Sequence, residues 1–215
     1  MTSKRPPTPK SDRAPQRSRA QFVHQLLIVL GGTAPLVWRR IQVPEPYSFW
    51  DLHVAIQDAM GWLDSHLHEF AVVDPASGLT MRIGIPNPDE PGQRSVLAGW
   101  DVPVTDYLAD GGLPALYTYD FGDDWHHAVF YEGTSPAEAS TKYPRCVTGA
   151  GACPPEDSGG PHRYAELVAV LADPTHPEYN EMREWAGSDF DPDRFDPAAV
   201  GFDDPKMRRK QAFGR

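Results

Sequence analysis

The apolar positions of this chain change period as it runs, and those changes predict its elements. Phe22 to Leu30 is rich in aliphatic residues and stops at Gly31-Gly32, the pattern of a strand entering a turn. Trp38 to Val43 reads as a second strand, closed by Pro44. The period then becomes helical. Phe49, Leu52, Ile56 and Met60 recur at spacings of three and four and so share one stripe. Ser48 offers an N-cap oxygen, Asp51 completes a capping box, and Gly61 stands where a left-handed C-terminal residue is wanted. Leu67 to Val73 and Met81 to Ile85 follow as strands, whereas Asn87 to Gly99 lacks periodicity and predicts a surface loop. A helical turn near Thr105 to Ala109 precedes two more strands, Leu116 to Phe121 and Trp125 to Glu132, around a Gly122-Asp123-Asp124 hairpin turn.

The last third reads differently. Residues 143 to 161 are almost all turn formers. Helices fit Tyr164 to Ala172 and Pro177 to Ala186, the second with Pro at its first position and Gly187 as terminator. Phe190-Asp191-Pro192 and Phe195-Asp196-Pro197 repeat one unit at a spacing of five, and no repeat of solenoid period occurs. Strands first, one helix inserted early and two or three helices in the C-terminal third predict an α+β fold with a mostly antiparallel sheet.

Composition narrows the class. With 215 residues, 40% of them hydrophobic and 11% aromatic, the chain can bury a substantial core. Its 23 prolines and 18 glycines predict short elements joined by long connections. The longest aliphatic run, Leu26 to Leu30, is far below the roughly 20 residues that span a bilayer, so no membrane partner is expected. Met1 to Pro7 has charge but no apolar segment, which predicts a cytoplasmic protein. Two cysteines, Cys146 and Cys153, are too few for a disulfide scaffold and are read as thiols or metal ligands.

Charge is unevenly placed. Residues 1–20 carry six basic side chains against Asp12, residues 206–215 carry five and no acid, and the chain as a whole stands at −10, which leaves −20 on residues 21–205. The expected organisation is a disordered basic, Pro-rich tail over 1–20, an α+β domain over 21–204 and a basic tail over 205–215. Such arms can contact a protein or nucleic-acid partner or fold back on the acidic body, whereas the body itself repels phosphates.

Candidate chemistry gathers at two places. His66 and His68 sit at i and i+2 at the start of a strand, so their imidazoles point the same way about 7 Å apart and can share one metal ion. In the hairpin, a two-residue loop puts Asp120 opposite His127 and a three-residue loop puts it opposite His126. Either pairing can support a metal-bound histidine or tune a base, or it is an ordinary cross-strand pair. Cys146 and Cys153, six residues apart between them, are too widely spaced for a zinc knuckle but can add thiolates to a histidine site. No P-loop, dinucleotide fingerprint, nucleophile elbow or His-Glu-x-x-His helix is present.

Several strings occur together: Pro35 to Val43, Leu52-His53 through Ile56-Gln57 to Ala59-Met60-Gly61-Trp62, and Asp64-Ser65-His66-Leu67-His68-Glu69-Phe70. Tyr119-Asp120-Phe121-Gly122-Asp123-Asp124-Trp125, Ala152-Cys153-Pro154-Pro155-Glu156-Asp157, Gly159-Gly160 and Trp185 to Phe195 complete them. This combination, spanning about residues 22 to 200, resembles the plasmid pRiA4b ORF-3-like family. The resemblance implies an α+β fold and an association with mobile elements, and it supplies no established catalytic residue. Two positions depart from the family pattern: His126 stands where many members have Glu, and Ser158 stands where a third cysteine is common. Some members are described as resolvase-like, yet neither a serine-recombinase nucleophile context nor a helix-turn-helix reader is found here. The expected function is a non-catalytic binding or accessory module with a divalent-metal site, with zinc as the candidate ion. Its ligands are drawn from His66, His68, Asp120 and His127, with Cys146 and Cys153 as further candidates. The alternatives are a metal-free module that binds protein or nucleic acid through its basic arms, and a metal-dependent hydrolase.

Overall fold

A computed structural model describes residues 21–87, 95–109 and 111–214. The tail expected over 1–20 and part of the loop expected over 87–99 lie outside the described residues. The fold is α+β, built on one eight-stranded sheet in the order β5-β4-β3-β6-β7-β1-β2-β8. The first two strands are β1 (Phe22–Leu30) and β2 (Trp38–Pro44), joined antiparallel with Leu26 opposite Ile41. β2 alternates throughout and β1 does so from His24 on, so one face of each enters the core. Helix α1 (Phe49–Met60) starts as its sequence requires: Ser48 accepts from the Asp51 amide while Asp51 accepts from the Ser48 amide. It ends at Gly61, whose φ of 90° is left-handed. Phe49, Leu52, Ile56 and Met60, the predicted stripe, are all buried in the core.

The other half of the sheet comprises β3 (His68–Val73), β4 (Thr80–Gly84), β6 (Ala115–Tyr119) and β7 (Trp125–Pro136). Two strands lie where turn-like composition hid them. β5 (Val96–Ala98) occupies the end of the expected loop and adds to β4 as the one parallel pairing among the described residues, and β8 (Arg145–Ala150) pairs with β2 inside the expected turn region. Neither strand has a buried residue, so neither shows the alternation that marks a core strand.

The C-terminal part adds α2 (Gly160–Ala172), α3 (Tyr179–Ala186) and α4 (Pro205–Phe213). Helix α2 starts four residues before Tyr164 because Pro161 fits its first turn, whereas Pro177 lies outside α3. The basic segment at the end forms α4 and docks on α1. The Trp50 indole donates to the Pro205 carbonyl at 3.0 Å, and Arg208 reaches Asp58 and Asp203 at 2.7 Å each. No helix among the described residues is long and apolar enough to cross a membrane.

Candidate metal centre

Three connections meet at the edge where β3 begins and β6 ends. The first is the α1–β3 segment, residues 61–67; the second is the β6–β7 turn, residues 120–124; the third follows β8, residues 151–159. Polar contacts hold them together. The Trp62 indole donates to the Pro154 carbonyl at 2.9 Å, and the Leu63 amide donates to Glu156 at 2.7 Å. The Tyr119 hydroxyl also donates to Glu156, at 3.0 Å, and accepts from the Ser65 amide. Burial and then the Glu156 charge push that hydroxyl well above its usual pKa, so it remains a donor. Asp123 accepts from the Gly159 amide at 2.9 Å. The next residue has to be glycine: at Gly160 φ is +78°, and a Cβ would lie 2.5 Å from the Asp123 carbonyl.

Each connection contributes one side chain to a small cluster. His66 Nε2 lies 3.0 Å from Asp157 Oδ1 and 3.6 Å from Asp120 Oδ2. The other Asp120 oxygen, Oδ1, accepts from the amides of Gly122 and Asp123, which fixes the carboxylate and leaves Oδ2 facing the imidazole. Asp120 and Asp157 both have left-handed backbone, at φ 54° and 57°, a conformation Asp tolerates better than most residues. Asp120 is buried, His66 is half-buried, and the Asp157 side chain is 76% exposed. The donor atoms all lie within 4.8 Å of one another, on the solvent side of the sheet edge.

A second group of the same donor types is buried behind the first. His53 Nε2 lies 2.8 Å from Asp64 Oδ1 and its Nδ1 lies 2.8 Å from the Tyr117 hydroxyl. A carboxylate only accepts, so Nε2 carries the proton and Nδ1 accepts from Tyr117. Gln57 closes the loop, donating to Tyr117 and accepting from the Asp64 amide. The His68 ring stacks on His53 with centroids 3.4 Å apart and planes 9° from parallel. Burial, and then His53, hold the His68 imidazole well below its usual pKa, so it stays neutral. This trio also brings its donors within 4.8 Å, but the stack does not suit one ion. The lone pairs of two parallel rings point along parallel planes, and an ion bound to both would lie well outside at least one of those planes.

The structure therefore divides the predicted ligands. His66 and His68 do not share a site, because β3 begins at His68 and strand alternation does not extend to His66. Asp120 joins His66. The hairpin register differs from both expectations: Tyr117 is opposite His127 and Thr118 opposite His126, so Asp120 belongs to a five-residue turn, 120–124, and faces neither histidine. His127 points inward, donates from Nδ1 to the Tyr117 carbonyl and is held by burial at about 3. His126 lies outside, beside Asp124. Cys146 and Cys153 join neither group. Burial pushes both thiols up, and both lie near Arg39, a buried guanidinium that donates to the Ala59, Trp38 and Ala150 carbonyls and covers the Phe195 ring. The sequence reading missed His53, Asp64 and Asp157. For His53 a signal existed: it stands four residues after Phe49 and three before Ile56, a polar side chain on the apolar stripe.

Residues 22–199 match the family model described as plasmid pRiA4b ORF-3-like protein. The chain is similar to the uncharacterized protein y4hQ of Sinorhizobium fredii (strain NBRC 101917 / NGR234), 38% identical over 181 residues, which are 84% of this chain and 87% of that protein. It also resembles the crystal structure of a protein of unknown function, MM3350 from Methanosarcina mazei Go1. That match has a TM-score of 0.80 and 42% identity and covers 86% of this chain and all of the other.

Proposed function

This chain belongs to the plasmid pRiA4b ORF-3-like family, and we propose that it is a binding or accessory module that holds one divalent cation at His66, Asp120 and Asp157. The observation that carries this reading is the Asp120 carboxylate, one oxygen of which is fixed by two backbone amides while the other is turned toward His66 and Asp157. An oriented carboxylate is how protein ligands of metals are commonly held. One imidazole with two carboxylates suits zinc or manganese better than a soft, thiolate-seeking ion. Three loops tied together by Glu156, Asp123 and Trp62 would be further locked by an ion that bridges them.

Elemental mass spectrometry on protein purified without a histidine tag tests this. About one divalent ion per chain is expected in the wild type and none in His66→Ala/Asp120→Asn, with a chelator lowering the melting temperature of the wild type alone. No ion in the wild type, even after incubation with zinc and removal of the excess, would overturn the reading.

A second reading, a metal-dependent hydrolase, is favoured by the exposed side of the group. Three protein ligands with the fourth direction open to solvent is the arrangement that catalytic zinc sites keep. Turnover of a phosphodiester that disappears in Asp120→Asn would support it, and equal turnover in both proteins would dismiss it.

A further inference from the structure

A groove of about 940 Å³ lies away from both histidine groups, between the β2–α1 connection, the β7–β8 connection and the start of α4. Its apolar lining includes Pro44, Pro46, Tyr47, Tyr143, Pro144 and Phe202. Its charged lining is acidic, with Asp51, Glu138, Asp203 and Asp204 against Lys142 and Lys206. The excess of carboxylates registers on Tyr47: burial, followed by Asp51, Asp204 and Asp58, pushes its hydroxyl far above the usual value. Prolines and half-buried aromatic rings with acids around them form a surface that suits a basic, proline-rich strand of polyproline II geometry.

This chain contains a sequence of that composition. Lys4-Arg5-Pro6-Pro7-Thr8-Pro9-Lys10 has prolines at a Pro-x-x-Pro spacing, with two cations before them and one after, within an arm of net charge +5. The place where the arm leaves the fold matters as much as its composition. The Gln21 carbonyl accepts from the Ala137 amide at 2.9 Å, and Ala137 lines the groove. The Phe22 carbonyl accepts from the Glu45 amide, between Pro44 and Pro46 of the lining. The described chain thus begins at the rim of the groove. Residues 11–20 could span up to roughly 33 Å when extended, ample for the Pro-x-x-Pro stretch to turn back across it.

We propose that residues 1–20 dock in this groove of their own chain, with Pro6 and Pro9 on the Tyr47, Tyr143 and Phe202 rings and the flanking cations toward Glu138 and the Asp203-Asp204 pair. Docking in cis requires little intrinsic affinity, because a short tether holds the arm at an effective concentration near the millimolar range. Asp203 keeps its bond to Arg208 in this arrangement, so α4 and the arm share one acidic edge.

Zero-length carbodiimide cross-linking of the full chain, with the links mapped by mass spectrometry on the monomer fraction, tests this. Links from Lys4 and Lys10 are expected to concentrate on Glu138, Asp203 and Asp204 over exposed acids elsewhere, such as Asp193 and Glu166. Pro6→Ala/Pro7→Ala/Pro9→Ala keeps every charge, and it should cut those links about fivefold. Tyr143→Ser should act similarly, with the melting curve serving as a check on the fold. Links spread over acids across the body, or unchanged by the proline substitutions, would show charge attraction without a docking site and overturn the proposal. Links found only between chains in a mixture of isotope-labelled and unlabelled protein would assign the arm to a second copy and overturn docking in cis.

Discussion

The two histidine–carboxylate groups have nearly the same donors and opposite relations to water. In the buried group the bonds run from one member to the next, Gln57 serving Tyr117, Tyr117 serving His53 and His53 serving Asp64, and the stacked His68 ring is left with a buried Nδ1 that has no hydrogen-bond partner among the described residues. In the open group the support comes from behind, through backbone amides on Asp120, and toward solvent His66 and Asp157 meet in one surface pair at 3.0 Å with the Asp157 side chain 76% exposed. A polar cluster whose bonds close on themselves rigidifies a core, whereas one held from the back with a free front is arranged for a ligand. Donor identity alone does not distinguish these roles. The direction from which each donor is held does.

The comparison breaks most readily at its buried end. His53→Ala should cost about 3 kcal/mol or more, because the buried Tyr117 hydroxyl loses its acceptor and the Asp64 carboxylate loses its 2.8 Å contact and keeps the longer one to Arg208 at 3.5 Å. Urea unfolding of the variant would measure this, and a loss under about 1 kcal/mol would mean the network is not structural. Acid should act on the buried side as well. His127 is neutral in the fold down to about pH 3, while an unfolded imidazole takes up its proton near 6.5. The native pKa lies below the unfolded one, so stability is complete above about pH 6.5 and falls as pH drops toward 3; the loss from this group is about 2 kcal/mol by pH 5. His68 shifts in the same direction and adds to it. In His127→Asn, whose side-chain amide can still donate to the Tyr117 carbonyl, the stability curve from pH 6.5 to 5 should flatten.

How much of this was legible in the sequence follows the range of each signal. The Ser48–Asp51 capping box, the Gly61 stop and the β1 run are local patterns, and each appears as read. The strands β5 and β8 owe their geometry to neighbours, Arg82 opposite Val96 and Trp38 opposite Ala150, which no window of sequence contains. At the site, the reading reached His66 and Asp120 separately, and Asp157 only as the last residue of the string Ala152 to Asp157 that resembles the family. It misplaced His68 and the hairpin partner of Asp120, since a strand start displaced by one residue or a turn lengthened to five changes which side chains face each other.

Two substitutions sharpen the comparison at the open end. Glu156→Ala removes the acceptor shared by the Leu63 amide and the Tyr119 hydroxyl. It should cost about 1 kcal/mol and weaken metal binding roughly tenfold without abolishing it, because Glu156 positions the loops and is not itself a donor to the ion. Metal titration followed by calorimetry separates the two effects. Asp157→Ala should have the smallest effect on the fold. Its side chain is 76% exposed and its one ion pair, to His66, is at the surface, so the metal-free protein should unfold within about 0.5 kcal/mol of wild type. The same substitution removes one of three ligands, so the stabilisation that wild type gains from added zinc should largely vanish. If Asp157→Ala destabilised the metal-free fold as much as His53→Ala does, the open group would be a structural network like the buried one, and the distinction drawn from the direction of support would fail.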